Sequence, residues 1–148
     1  MTALVYFRHW LAGKFEGERA RLPDLVIGGW EDPYLYRWYA IPRNRWFNIY
    51  IHCFMRSDYD CFHDHPWANL SWILKGSYIE HTIEGDLERL EGTTVLRPLG
   101  ELAHWVELNR GPCWTLFFTG PKYREWGFHT EQGWVQWEEY LKDHGERA

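Results

Sequence analysis

The chain has 148 residues, about the length of one domain, and its composition of 45% hydrophobic and 25% charged residues is typical of a soluble globular protein. A net charge of −5 and scattered Lys and Arg argue against a nucleic-acid partner. No apolar run approaches the ~20 residues that span a bilayer, and the amino terminus lacks the apolar stretch of a signal peptide. We therefore expect a cytoplasmic protein without a membrane partner. The three cysteines, Cys53, Cys61 and Cys113, form no C-x-x-C pair and are expected to be free thiols.

The predicted elements begin with a short amino-terminal helix, whose apolar face would carry Phe7, Trp10, Leu11 and Phe15. A break at residues 28–33, "GGWEDP", precedes an aromatic strand at 34–41. In "WFNIYIHCFM" the odd positions from 47 to 55 are all apolar, a period of two that predicts one buried strand face. His52 lies on the other face, where we expect it to be half-exposed.

Short strand-like segments continue to about residue 119, separated by turn sequences such as "EGD", "NRGP" and "TGP". This spacing predicts an antiparallel sandwich or barrel. Near the carboxyl terminus, Trp134, Trp137 and Leu141 share one face of a predicted helix that Gly145 can end. We expect a single domain over residues 1–148, with a barrel core at about 34–128 and a short helix at each end.

Two histidines in "CFHDHPW" are the first sign of a functional site. On a strand-like segment His63 and His65 point the same way, so two imidazoles can converge on one ion. A third ligand must come from elsewhere, and His104 is the best donor. It lies in "GTTVLRPLGELAHWVEL", where a strand, a turn and a second strand would return it to the same site.

The two histidine segments together resemble the two motifs of the cupin superfamily, which are written G-x5-H-x-H-x3,4-E-x6-G and G-x5-P-x-G-x2-H-x3-N. The first is matched by His63, His65 and Gly76, with Ser57 at the first Gly place. The second is matched, with one extra residue before its histidine and another after it, by Gly92, Pro98, Gly100, His104 and Asn109. The resemblance implies an all-β double-stranded β-helix, or jelly-roll barrel. The sequences "FHDHPW" and "GSYIEH" and the segment 115–137 also resemble small single-domain cupins of bacteria and phages.

The main departure from the motifs is Asn69, which stands where many cupins have a Glu ligand. Since a neutral amide is a poor metal ligand, the expected site is three imidazoles: His63, His65 and His104. They would hold one divalent transition metal, with Fe2+ favoured and Mn2+, Ni2+ or Zn2+ compatible with the same ligands. Asn69 would then be a hydrogen-bonding neighbour or a weak fourth contact.

The resemblance to three-histidine thiol and β-diketone dioxygenases within the superfamily implies an Fe(II) oxygenase acting on a small molecule. Two other classes remain open, because this fold hosts many functions. One is a non-catalytic barrel that senses or carries a small polar ligand. The other is a metal-assisted sugar isomerase or epimerase, for which His129 with Tyr78 or Glu80 would have to supply acid and base.

The remaining candidates surround the predicted metal site. Ser71 shares the parity of Asn69 and should line the barrel interior, and Tyr78 could reach the mouth. His129 is the best spare histidine for substrate contact, or is packed between tryptophans. We expect Cys61 to be a packing residue rather than a ligand. Asp64 should point away from the histidines as a solvated carboxylate.

The aromatic content, 28 residues if Trp, Tyr and Phe are counted together (11, 9 and 8), exceeds what a barrel of this size readily encloses. Trp38 with Tyr36, and Trp46 with Tyr50, are expected on outer faces. Such a surface is typical of a protein interface, so we expect a homodimer.

Overall fold

The computed structural model describes Val5, residues 8–11 and residues 21–144. Strands dominate this part of the chain, as the turn spacing predicts. The twelve strands of the described residues are β1 (Leu25–Ile27), β2 (Leu35–Tyr39), β3 (Asn48–Phe54), β4 (Phe62–His63), β5 (Asn69–Lys75), β6 (Tyr78–Thr82), β7 (Gly85–Arg89), β8 (Thr94–Arg97), β9 (His104–Leu108), β10 (Cys113–Thr119), β11 (Gly127–Thr130) and β12 (Gly133–Gln136).

The strands form two antiparallel sheets of six strands each. The first sheet has the order β1-β2-β3-β10-β5-β8 and the second the order β12-β11-β4-β9-β6-β7. Their inner faces meet in a cluster to which Ile73 and Cys113 come from the first sheet and Tyr78 and Val106 from the second. The predicted all-β jelly-roll architecture is confirmed.

The faces of β3 are the reverse of the prediction. Cross-strand partners share a face, and His52 is paired with Thr115 of β10, which is paired with Ile73 in the core between the sheets. The even positions of β3 therefore point into the barrel, and His52 is buried at 3% exposure rather than half-exposed. A period of two identifies two faces but not which is inside, and here both are covered.

The odd positions of β3 belong to a second apolar cluster on the outer face of the first sheet. There Ile51 and Cys53 pack with Trp38, Trp114 and Leu74. Leu11 of the amino-terminal segment packs against this cluster, and residues 8–11 are helical. The other two positions of the predicted helix face, at 7 and 15, lie outside the described residues.

The carboxyl-terminal helix is shorter than predicted and spans Trp137–Asp143. Trp134 lies in β12 instead. The helix begins where the side chain of Gln136 accepts a hydrogen bond from the Glu138 N–H at 2.8 Å, an N-terminal cap. Tyr140 stacks on Phe128 at 3.9 Å between ring centroids and so anchors the helix to the second sheet.

Only some of the aromatic residues lie on the faces that the sequence predicts. Trp38 is on an outer face but is buried, stacked on Trp114 at 5.5 Å between ring centroids. Tyr50 lines the barrel interior, because it shares the parity of His52. Trp46 and Trp30 are each 63% exposed. No helix among the described residues is long and apolar enough to cross a membrane.

Candidate metal centre

The backbone brings His63, His65 and His104 to one place. His63 ends β4 and is the direct cross-strand partner of His104, the first residue of β9. His65 follows two residues later, and its N–H donates to the carbonyl of Gly100 at 2.8 Å. A Cβ atom at Gly100 would lie 2.2 Å from the His65 carbonyl oxygen, so the glycine of the second motif lets the two segments approach.

The three rings form a nearly regular triangle. Their centroids are 5.3 Å apart for His63 and His65, 5.0 Å for His63 and His104, and 5.1 Å for His65 and His104. One ring nitrogen of each lies within 4.8 Å of the others. The Nε2 atoms of His65 and His104 are 2.9 Å apart.

This spacing suits a transition metal. Metal–imidazole bonds of ~2.1 Å at right angles place adjacent ligand nitrogens about 3 Å apart. Three imidazoles also match the donor preference of iron, nickel, copper and zinc. Two observations therefore support a metal site: the ring nitrogens converge, and Nε2 of His65 and Nε2 of His104 lie at the spacing of two ligands on one metal ion.

Burial keeps the three rings in the neutral form that binds metals. It lowers the pKa of His104 to about 3, and the charge of Arg97 acts in the same direction. It also lowers the pKa of His65 well below the usual value, with the other two rings adding to the effect. For His63, burial again lowers the pKa, although the nearby Asp58 opposes it.

A buried ionic network lies behind His104. The Glu80 carboxylate is 2% exposed and pairs with Arg97, with Arg89 at 2.7 Å and with Nδ1 of His104 at 2.8 Å. Burial alone would raise the pKa of Glu80, but the hydrogen bond with His104 and the charge of Arg97 outweigh it and hold the pKa well below its usual range. Glu80 is therefore ionised, and it compensates Arg97 inside the barrel.

The other predicted pocket residues are divided. Asn69 is 3% exposed, and its Oδ1 accepts from Arg97 at 3.2 Å, which places it beside this network. Ser71 also lies on the inner face, paired with Val95 and Phe117. Tyr78 is not at a mouth: it is 3% exposed in the core between the sheets, and burial raises its pKa to about 12.

Asp64 is correctly predicted to point away from the histidines, but it is not solvated. It is 1% exposed. Oδ1 accepts from the Gly127 N–H at 2.8 Å, and Oδ2 lies 3.1 Å from Arg124, 3.1 Å from His129 and 3.0 Å from Trp134 Nε1. The carboxylate thus joins β4, β11 and β12 directly behind the two histidines that flank it.

His129 is not brought to the three histidines. It pairs with Phe62, whereas its neighbour Phe128 pairs with His63, so its side chain lies on the opposite face of the sheet. That side chain is 42% exposed and borders a cavity of about 350 Å³ beside the carboxyl-terminal helix. Cys61 borders the same cavity.

Sequence reasoning missed the roles of Arg97 and Asp64. For Arg97 a signal existed, since it shares the inward parity of Val95 in β8, and a charged residue at an inward position needs a buried partner. The sequence suggests Glu80 only as a possible acid or base of an isomerase, not as the partner of Arg97. For Asp64 no local signal exists, because its partners lie about sixty to seventy residues further along the chain.

The fold is shared with several solved structures of low sequence identity. DMSP lyase DddQ from Ruegeria pomeroyi matches with a TM-score of 0.56 and 19% identity, covering 81% of this chain and 64% of that one. An RmlC-like cupin from Shewanella frigidimarina matches with a TM-score of 0.52 and 14% identity, covering 74% of this chain and 90% of that one. An RmlC-like cupin from Ralstonia eutropha matches with a TM-score of 0.51 and 16% identity, covering 77% of this chain and 78% of that one. The chain therefore has the cupin fold.

Neither a family model nor a curated protein matches the sequence. At identities of 14–19% the structural likeness establishes the fold and leaves the function to the site itself.

Proposed function

We propose that this protein is a metal-dependent cupin enzyme, an Fe(II)-type oxygenase that acts on a small molecule at a three-histidine centre. The observation that carries the proposal is the convergence of His63, His65 and His104 within 4.8 Å inside the barrel. A divalent metal held there supplies Lewis acidity and, if it is iron, the capacity to use O₂. Three neutral ligands leave coordination positions open for substrate.

The described residues around the centre favour metal-based chemistry over acid–base chemistry. Both nearby carboxylates are engaged: Glu80 with two arginines and His104, and Asp58 with the hydroxyl of Tyr34 and the Val106 N–H. An isomerase or epimerase needs a base free to take a proton from the substrate. The pair considered for that role, His129 with Tyr78 or Glu80, is split between the outer face and the core.

A metal-assisted elimination, the reaction class named for DMSP lyase DddQ, is the alternative that the test must separate. Like an isomerase it needs a base, and neither Glu80 nor Asp58 is free to act as one. Such a reaction proceeds without O₂, so oxygen dependence separates the two. A ligand-carrying barrel is the third, and there the metal would be dispensable for binding.

The test uses Fe²⁺-loaded protein, an oxygen electrode, and sets of small thiols and β-diketones. The proposal expects O₂ uptake matched to product formation, and loss of both under argon and in His104→Ala. Turnover that continues under argon would favour elimination. Ligand binding unchanged by metal removal, without turnover, would favour the carrier.

We also propose that the protein is a homodimer. Exposed apolar side chains remain on the described surface, among them Trp30, Trp46, Phe47 and Leu96, each at least 53% exposed. Light scattering at micromolar concentration should report about twice the chain mass of 18.0 kDa. A mass of one chain would contradict the dimer.

A further inference from the structure

The Glu80 carboxylate lies on the far side of His104 from the centre. Its Oε1 atom is 2.8 Å from Nδ1 of His104, while Nε2 of the same ring lies 2.9 Å from Nε2 of His65. One imidazole therefore joins a buried carboxylate to the predicted metal position. Glu80 cannot itself become a ligand while His104 stands between them.

The contacts of Nδ1 determine where His104 carries its proton. If Nδ1 were unprotonated, its lone pair would face a carboxylate oxygen at 2.8 Å. Two acceptors without a proton between them repel each other, so this arrangement is unfavourable. The Arg97 guanidinium lies 3.2 Å from the same nitrogen and, as a donor, favours an unprotonated Nδ1, but it is further away than Glu80 and already pairs with that carboxylate. Nδ1 therefore donates to Glu80, and the lone pair of Nε2 is directed at the centre. Without metal, His65 must donate to that lone pair.

Arg97 ties the same carboxylate to Asn69. A guanidinium can only donate, so the amide oxygen of Asn69 must be the atom that faces Arg97. The amide nitrogen of Asn69 has no partner among the described residues. With its oxygen occupied in this way, Asn69 does not supply the oxygen ligand that a Glu would supply at its position. Among the described residues, the buried carboxylate within hydrogen-bond distance of a triad ring is Glu80, on β6, whereas Asp58 lies further away, 3.8 Å from Nδ1 of His63.

We propose that Glu80 is a positioning residue that holds His104 as the Nδ1–H tautomer. Through that ring Glu80 provides the negative charge that a Glu ligand would provide at the position of Asn69. A carboxylate behind a histidine ligand fixes the ring orientation and makes the ligand nitrogen more basic. The metal-binding part of this inference rests on the proposed function. The tautomer does not.

The first measurement is nitrogen NMR of the histidine rings in the metal-free wild type, which reports the protonated nitrogen of each ring. The inference expects His104 protonated at Nδ1 and His65 at Nε2. His104 protonated at Nε2 would overturn it. No variant is needed for this step, so poor folding of a mutant cannot obscure the answer.

The second measurement compares Zn²⁺ affinity by competition with a chelating dye in Glu80→Met, Glu80→Gln and the control Glu88→Met. Glu88 is exposed on the neighbouring strand β7. Glu80→Met leaves Nδ1 without its acceptor, so affinity should fall 10–100-fold, with the His104 proton no longer confined to Nδ1. Glu80→Gln keeps an acceptor, so its Zn²⁺ affinity should fall less. Glu88→Met should bind as the wild type does.

The outcomes separate the two proposals. A folded Glu80→Met protein with wild-type affinity and an unchanged tautomer would overturn the role of Glu80. A wild type that binds no metal, but shows His104 protonated at Nδ1 and a loss of that preference in Glu80→Met, would overturn the metal function and support the positioning by Glu80.

Discussion

The two faces of the second sheet carry histidines in opposite electrostatic settings. On the inner face, burial lowers the pKa values of His63 and His104. On the outer face, His81 stacks on Trp105 at 3.7 Å between ring centroids, with Asp86 at 2.7 Å from one ring nitrogen and Glu107 at 3.0 Å from the other. Slight burial opposes the effect, but these hydrogen bonds raise the pKa of His81.

The difference shows which histidines can serve as ligands. A ring flanked by two carboxylates holds both protons and has no lone pair for a metal, whereas a buried neutral ring has one. His81 is thus an ion-pairing residue of the outer face. The following experiments alter one face at a time.

The largest effect is expected from Asp64→Ala, which removes the buried outer-face carboxylate behind His63 and His65. Four groups lose this partner, among them Arg124, which keeps its hydrogen bond to the His65 carbonyl, and breaking a buried pair costs ~3–5 kcal/mol of unfolding free energy. Urea denaturation of the metal-free protein measures it. A loss below ~1 kcal/mol would mean that solvent replaces these contacts and that Asp64 does not support the site.

His104→Ala tests the inner face directly. Two imidazoles hold an ion far less well than three, so metal affinity should fall by more than ~100-fold, or about 2.7 kcal/mol. His81→Ala is the matched control, one strand away on the opposite face, and should retain wild-type affinity. Equal losses in both variants, measured by dye competition, would remove the distinction between the faces.

The pH dependence of stability tests the same distinction without metal. Because the folded pKa of His104, about 3, lies below its unfolded value, the unfolded state takes up the proton first as pH falls. Each pH unit below ~6.5 should therefore remove about 1.4 kcal/mol through this residue alone, down to the folded pKa. His81 has the opposite sign: its contribution is present below the unfolded pKa and is lost as pH rises through the folded pKa.

The check is a series of denaturation curves between neutral and acid pH for the wild type, His104→Ala and His81→Gln. The unfolding free energy should depend less steeply on pH in His104→Ala, because a group whose pKa is lowered by folding is removed. It should depend slightly more steeply on pH in His81→Gln, because a group whose pKa is raised by folding is removed. A wild-type stability that is flat from neutral pH into the acid range would contradict the neutral state of the inner rings.

The smallest effect is expected from Asn69→Glu. A carboxylate at this inner-face position adds a negative charge beside Arg97 and the triad, so Zn²⁺ affinity should rise about tenfold, or ~1.4 kcal/mol. Asn69→Gln is the neutral control. An affinity that Asn69→Glu leaves unchanged would mean that Arg97 neutralises the new charge or that the side chain faces away from the centre.

The sequence predicts the fold and the residues of the triad because these depend on local signals. Turn residues at short intervals indicate an all-β chain, and the H-x-H spacing with a later histidine indicates converging rings. What it does not predict are long-range partners. The inward face of β3 depends on which side of the sheet the second sheet covers. The settings of Asp64 and Glu80 depend on strands that meet only in the folded chain.

The central claim is that the three inner histidines hold one transition metal. Elemental analysis of the protein, purified without chelator, tests it most directly. We predict close to one iron, or another divalent transition metal, per chain, and little metal in His63→Ala, His65→Ala or His104→Ala purified in the same way. A wild type that contains no metal, and takes up none of Fe²⁺, Mn²⁺, Ni²⁺ or Zn²⁺, would contradict the account.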